Sequence, residues 1–301
     1  MGWKGVDVIS IMDFKKEELE LLFNAADLDA EDSKPLDGKV VATAFYEPST
    51  RTRLSFDSAV KRLGGSTIDL NPGASSIAKG EDFLDTMKML DSYADLIILR
   101  SPSEGAARLA AEICEHPVIN AGDGSQHHPT QAMIDLYSLK KMKGSIGGLS
   151  IGIMGDLKYG RAANSFLFGL GVFGVKEIKA IAHPSLRIKD VNSLLLNEMG
   201  MHISYYEELE EVLEELDVIY ITRVQKERFS DPAEYEKLKD AYKLDLKALA
   251  KAKPGLLVMH PLPRLNEISR EVDSTQHAAY FKQAAYGVKV RMALIRLVLG
   301  E

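Results

Sequence analysis

The stretch Phe45-Tyr46-Glu47-Pro48-Ser49-Thr50-Arg51-Thr52-Arg53 brings three aliphatic hydroxyls and two arginines to the end of an apolar run and the start of a helical pattern. Ser49 is placed to cap that helix, and Pro48 fixes the chain's entry. A helix's first turn leaves N–H groups without partners and carries about half a positive charge. With Ser49, Thr50 and Thr52 around Arg51, this turn suits an anion, phosphate above all. The plain alternative is a capped helix with two surface arginines. Capping accounts for Ser49, but not for four further polar residues in one turn.

Other polar clusters follow other apolar runs. Ser75-Ser76-Ile77-Ala78-Lys79-Gly80-Glu81 lies in a loop opened by Asn71-Pro72-Gly73. Lys79 can reach a ligand there as a mobile point charge, although the residues alone favour a solvated loop lysine. Arg100 closes an apolar run, where an open parallel sheet binds ligands; a structural ion pair would explain it equally. Gly122-Asp123-Gly124-Ser125-Gln126-His127-His128-Pro129-Thr130-Gln131 carries adjacent histidines. Neighbouring side chains point apart and no acidic or cysteine partner sits at ligand spacing. The pair therefore reads as one imidazole donating or handling a proton, not as a metal site, with His127 left as loop surface.

Gly155-Asp156-Leu157-Lys158-Tyr159-Gly160-Arg161 lacks both the Gly-Lys-Ser/Thr of a P-loop and the Gly-x-Gly-x-x-Gly of a dinucleotide site. Arg161 at a helix start then reads as a carboxylate or phosphate clamp. Thr222-Arg223-Val224-Gln225-Lys226-Glu227-Arg228 follows a further apolar run. In His260-Pro261-Leu262-Pro263-Arg264, two prolines make a stiff turn whose carbonyls a helix cannot all take up. Such carbonyls can accept hydrogen bonds from a ligand amide; a merely stiff loop is the alternative.

These clusters need strands to carry them. Candidates are Val40–Tyr46, Ser66–Leu70, Leu96–Arg100 and Val118–Asn120, then Ser150–Gly155, Glu177–His183, His202–Tyr206, Asp217–Thr222 and Leu256–His260. Runs such as Leu-Ile-Ile-Leu at 96–99 do not alternate, as expected of strands covered on both faces. Helical patterns intervene at 50–63, 81–93, 104–115, 130–142, 161–172, 187–198 and 207–215. Alternation of this kind predicts an α/β fold of two domains, each a parallel sheet flanked by helices. The expected division is 1–130 plus 285–301 against 131–284. Helix 130–142 connects the two, and a C-terminal helix over about 279–299 returns to the first.

The whole-chain balance narrows the partners. Among 301 residues, 46% are hydrophobic and 27% charged, which excludes a disordered or collagen-like chain. Lys and Arg number 37 against 44 Asp and Glu, a net charge of −7 that disfavours nucleic acid yet permits a local basic pocket. Cys114 is the single cysteine, so a disulfide framework and a cysteine-based zinc site are excluded within the chain. No apolar run approaches the ~20 residues of a membrane span, and the start lacks a signal-peptide core; a cytoplasmic protein is expected. Arg51, Arg100, Arg161, Arg223 and Lys79 in an acidic chain point to small polyanionic substrates.

Read together, these segments resemble the catalytic chains of the aspartate carbamoyltransferase family. The resemblance runs in order through Ser-Thr-Arg-Thr-Arg at 49–53, Ser-x-x-x-Lys-Gly-Glu at 75–81, Glu-Gly-Ala-Ala-Arg at 104–108 and His-Pro-Thr-Gln at 128–131. Gly-Asp-Leu-Lys-Tyr-Gly-Arg at 155–161, Thr-Arg-Val-Gln-Lys-Glu-Arg at 222–228 and His-Pro-Leu-Pro-Arg at 260–264 complete it. The Ser-Thr-Arg-Thr-Arg motif is shared with ornithine carbamoyltransferases, whereas Lys79, Arg-Val-Gln and His-Pro-Leu-Pro resemble the aspartate branch.

The resemblance implies carbamoyl transfer from carbamoyl phosphate to L-aspartate; ornithine or another amino acid is the alternative acceptor. It implies phosphate on Ser49, Thr50, Arg51, Thr52 and Arg100, with Thr52, Arg100 and His128 on the carbamoyl oxygen. Gln131 and the carbonyls of Leu262 and Pro263 would hold the carbamoyl amide. Arg161, Arg223, Gln225 and Lys79 would hold aspartate, Ser75 and Lys79 reaching a neighbouring subunit's site in a homotrimer. Glu47 would pair with Arg161 and Arg228 in domain closure. No cofactor or metal is implied; a separate regulatory chain is left open.

Overall fold

The central strands of both sheets form on short, largely apolar runs, because crossover helices cover both faces of a parallel sheet. The edge strands Ser66–Leu70 and His202–Tyr206 carry polar residues. The computed structural model describes residues 2–28, 34–75, 80–224 and 242–301. Its chain divides into two compact units, Met1–Ile134 with Tyr286–Glu301, and Asp135–Ala285.

The first unit opens with α1 (Lys16–Asp27), a helix the sequence reading passed over. Leu19, Leu22, Phe23 and Ala26 bury one face at helical spacing, and Glu18 accepts the Lys15 N–H at 2.8 Å. The sheet then alternates with helices as β1 (Val40–Phe45), α2 (Thr50–Arg62), β2 (Ser66–Leu70), α3 (Phe83–Tyr93), β3 (Leu96–Ser101), α4 (Ala106–Ile113) and β4 (Val118–Asp123). The strands are parallel in the order β2-β1-β3-β4. A core on this sheet gathers Ala42, Ala44, Ile97, Leu99 and Val118 with Met87 and Ala107 from the helices.

Helix α5 (Pro129–Lys143) carries the chain into the second unit. There follow β5 (Ile151–Met154), α6 (Arg161–Val172), β6 (Glu177–Ile181), α7 (Asp190–Glu198), β7 (His202–Tyr206), β8 (Val218–Ile221), the short α8 (Leu246–Leu249) and β9 (Leu257–Met259). These strands too are parallel, in the order β7-β6-β5-β8-β9. Helix α9 (Tyr280–Leu299) starts in this unit and, from Tyr286, belongs to the first. There the Val298 carbonyl accepts the Gly5 N–H at 2.8 Å, and the Arg291 guanidinium binds the Ser55 hydroxyl above the Phe56 ring. The C-terminal helix thus packs back on the first sheet's helices.

One expected helix does not form. Residues 207–215 make two 3₁₀ turns, Leu209–Glu211 and Leu213–Glu215. Leu209, Val212, Leu213 and Leu216 are buried at helical spacing, which is the signal that suggested a helix. Six glutamates fill those nine residues, however, and like charges at i,i+4 oppose an α-helix. Glu211 instead accepts the N–H groups of Glu207 and Glu208 at 3.2 and 3.0 Å.

Candidate active site

The first sheet changes direction of winding between β1 and β3: the chain leaves β1 for β2, then returns past it to β3. At such a border the connections diverge and open a crevice beyond the strands' carboxyl ends. Ser49 follows β1 in extended conformation at the N-cap of α2, and its hydroxyl makes no cap bond. The capping expected of Ser49 is therefore not made; α2 begins without it. Thr52 is buried in the first turn and Arg51 is exposed beside it. Arg53 goes elsewhere, to Asp69 of β2 at 2.7 Å, an aspartate that also accepts the Thr43 hydroxyl at 2.8 Å. The two arginines of the motif thus divide, Arg53 turning to β2 and Arg51 standing at the helix start.

Across the border Arg100 stands in register with Phe45. Its Nε lies 2.8 Å from the Glu47 carboxylate and its Nη1 donates to the Ala121 carbonyl at 3.2 Å. The ion pair left open by the sequence is thus present, and it orients the guanidinium rather than excluding a ligand role. Glu47, which the resemblance pairs with Arg161 and Arg228 in closure, here lies against Arg100.

The 120–131 segment is shaped by an aspartate to which sequence reading gave no role. Asp123 is buried and accepts the Asn120 amide and the His127 N–H on one oxygen, each at 3.1 Å, and the Gly105 N–H on the other at 3.1 Å. Gly124 has a φ of +46°, and a Cβ there would lie 2.3 Å from Glu104 Cγ. Glu104 in turn takes the Ser125 hydroxyl. His127 is not loose surface: its ring sits 3.5 Å from the Ser10 hydroxyl, and burial pushes its pKa down. His128 is buried where α5 begins, its carbonyl accepting the Gln131 and Ala132 N–H groups. Ser75 donates to the Pro72 carbonyl at 3.1 Å. Lys79, Gln225 and Arg228 lie outside the described residues.

The second sheet repeats the device. Its winding reverses between β5 and β8, whose last residues Met154 and Ile221 are register partners. Arg161 opens α6 after β5, and Arg223 follows β8, so two arginines flank the reversal. Gly155 has a φ of +114°, and a Cβ would lie 2.1 Å from the Thr222 carbonyl, so only glycine lets the two strand ends approach. Asp156, fully buried, accepts the N–H groups of Lys158 and Tyr159 at 3.1 and 2.9 Å and folds the loop before Arg161.

Next to β8, β9 ends in the 260–264 turn. Leu262 adopts a φ of +57° and precedes a cis peptide to Pro263. Its side chain packs on the core around Tyr280 and Ile221, while Arg264 pairs with Asp273 and donates to the Tyr280 hydroxyl. Among the described residues, the Leu262 and Pro263 carbonyls take no backbone hydrogen bond. Such carbonyls can accept hydrogen bonds from a ligand amide.

Each unit thus presents cations and polar groups where its parallel sheet reverses winding, the architecture of an α/β enzyme for small anionic molecules. Residues 6–141 match the carbamoyl-phosphate-binding domain of the aspartate/ornithine carbamoyltransferases, and residues 147–298 match the Asp/Orn-binding domain. The chain belongs to this family. It is 56% identical to the aspartate carbamoyltransferase catalytic subunit of Thermofilum pendens, covering 98% of this chain and 95% of that one. It is 55% identical to that of Hyperthermus butylicus, covering 100% and 98%. Aspartate transcarbamoylase from Trypanosoma cruzi, solved with carbamoyl phosphate and aspartate, superposes with a TM-score of 0.93 at 36% identity, covering 99% and 98%. The catalytic subunit from M. jannaschii gives 0.87 at 44%, covering 97% of each chain.

Proposed function

We propose that the chain transfers the carbamoyl group of carbamoyl phosphate to L-aspartate, giving N-carbamoyl-L-aspartate and phosphate, a step of pyrimidine synthesis. The observation that carries the choice of acceptor is the pair of arginines, Arg161 and Arg223, on either side of the second sheet's reversal. Two guanidinium groups suit two carboxylates, whereas the side-chain ammonium of ornithine would meet like charge.

In this reading the first unit with the C-terminal helix takes carbamoyl phosphate and the second takes aspartate. Ser49, Thr50, Arg51, Thr52 and Arg100 hold the phosphate. Thr52, Arg100 and His128 polarise the carbamoyl oxygen, and Gln131 with the Leu262 and Pro263 carbonyls holds the amide. Arg161, Arg223, Gln225 and Lys79 bind aspartate. Its neutral amine attacks the carbonyl carbon: the C–N bond forms, the oxygen bears the developing charge, and the C–O bond to phosphate breaks. The amine proton leaves with the phosphate. Catalysis is then positioning plus pre-set positive charge, and the reaction asks for no metal or organic cofactor.

Ser75 and Lys79 serve a neighbouring subunit's site in a homotrimer, Glu47 with Arg161 and Arg228 supports closure, and the enzyme works in the cytoplasm. A regulatory chain is compatible with relatives named as catalytic subunits. Carbamoyl phosphate offered with aspartate and with ornithine separates the two acceptors. Ureido product is expected from aspartate; product from ornithine alone would overturn the reading. Sizing should give a species near three times 33.2 kDa.

A further inference from the structure

Leu262 holds a left-handed backbone conformation, which a leucine adopts only when its surroundings enforce it. The enforcing contact is the Leu262 N–H, which donates to Nδ1 of His260 at 2.7 Å. A peptide N–H donates only to a nitrogen with a free lone pair, so the His260 proton is on Nε2. That Nε2 lies 2.8 Å from Oε1 of Glu267, and Oε2 of Glu267 accepts the Leu265 N–H at 3.0 Å. One carboxylate therefore grips the turn at both ends, through the ring before it and the backbone after it. His260 and Glu267 are 1% and 6% exposed, so these bonds compete with little water.

The grip is anchored further back. The His260 N–H donates to the Gln283 side chain at 2.9 Å, whose amide donates to Asp135 at 2.6 Å; Asp135 also accepts the Tyr220 hydroxyl at 2.7 Å. Asp135, Gln283 and Tyr220 are all buried. Tyr220 comes from β8, Asp135 from α5 and Gln283 from α9, so the sheet and both helices by which the chain enters and leaves this unit meet at the turn.

We infer that His260 and Glu267, braced by Gln283 and Asp135, are positioning residues that fix the Leu262 and Pro263 carbonyls for the carbamoyl amide. This rests on the proposed function. A bare proline turn would supply rigidity but no fixed orientation relative to β9; the imidazole supplies that orientation.

Two isosteric variants test it. His260→Asn keeps an acceptor where Nδ1 was, while His260→Gln keeps the donor toward Glu267 and removes that acceptor. His260→Gln is expected to lose about 100-fold in kcat, because a small misplacement of reacting groups costs that much, and His260→Asn about 10-fold or less. The aspartate KM should move less than about 3-fold in both, since no uniform binding is removed. Amide hydrogen exchange at Leu262 should be faster in His260→Gln than in His260→Asn. Equal kcat losses that track the variants' thermal stability would overturn the inference, as would equal exchange. If wild-type chain transfers to no acceptor, the functional reading fails, and the exchange comparison alone decides whether His260 holds the turn.

Discussion

The two units present their chemistry at the same topological place and hold it in different ways. In the first, the candidate ligand groups sit on a helix start and a strand end, and one counter-charge, Glu47, steadies Arg100. Arg53, next to that cluster, is spent on Asp69. In the second, part of the candidate surface is backbone, and a buried chain of side chains from Tyr220 to Glu267 holds it. Side chains on a helix start and a strand end take their direction from those elements and from close partners such as Glu47 and Asp123. Carbonyls in a turn have no rotamers of their own, so their direction must come from whatever grips the turn.

If that contrast is right, single substitutions should fall most heavily on the first unit's side chains. Arg51→Ala is expected to lower kcat by about 10³-fold or more, since it removes charge from the departing phosphate, and steady-state kinetics would measure it. Thr52→Ala and His128→Ala should each cost about 10²–10³-fold. Arg161→Ala and Arg223→Ala should lower kcat/KM for aspartate by about 10²-fold while leaving carbamoyl phosphate binding nearly intact, as titration calorimetry can read.

The second unit's dependence on backbone geometry should surface in stability. Gly155→Ala would place a Cβ 2.8 Å from the Thr222 hydroxyl oxygen and closer still to its carbonyl, at a φ that alanine resists. A loss of about 3 kcal/mol in chemical denaturation is expected. Glu267 gives a subtler effect. Burial raises its pKa, but the hydrogen bonds from His260 and from the backbone outweigh this and hold it below the ordinary 4.5. Its stabilisation is complete above that ordinary value and disappears as pH falls through the lower folded one. Glu267→Gln should therefore weaken the fold at neutral pH and flatten its loss of stability below pH 4.5. Arg53→Ala should be the mildest, within a few-fold of wild-type turnover, because an exposed pair such as Arg53–Asp69 contributes only about 0–1 kcal/mol.

Local patterns carried most of the fold. Among the described residues, central strands such as β1, β3 and β8 were readable as largely apolar runs. The edge strands β2 (Ser-Thr-Ile-Asp-Leu) and β7 (His-Ile-Ser-Tyr-Tyr) mix polar with apolar residues and were readable from β-branched and aromatic content. Helix α1 carries its periodicity in Leu19, Leu22, Phe23 and Ala26, but its N-cap is Lys15, whose side chain makes no cap bond, so no capping residue marks its start. The 207–215 segment misled because hydrophobic spacing says nothing of charge crowding on the other face. At the candidate site, the places of Arg51, Arg100, Arg161 and Arg223 at or just beyond strand ends were legible in the sequence. Asp123, Asp156 and the His260–Glu267 grip were not, because each acts through partners brought near by folding: Asp123 through Asn120 and Gly105, Glu267 through an imidazole seven residues away.

The most direct test is a crystal structure of this chain with a bisubstrate mimic that joins a phosphonate to aspartate. The phosphonate is expected at the start of α2, on Ser49, Arg51 and Thr52, and the two carboxylates on Arg161 and Arg223. A mimic bound elsewhere, with Arg51 and Arg223 facing solvent, would contradict it.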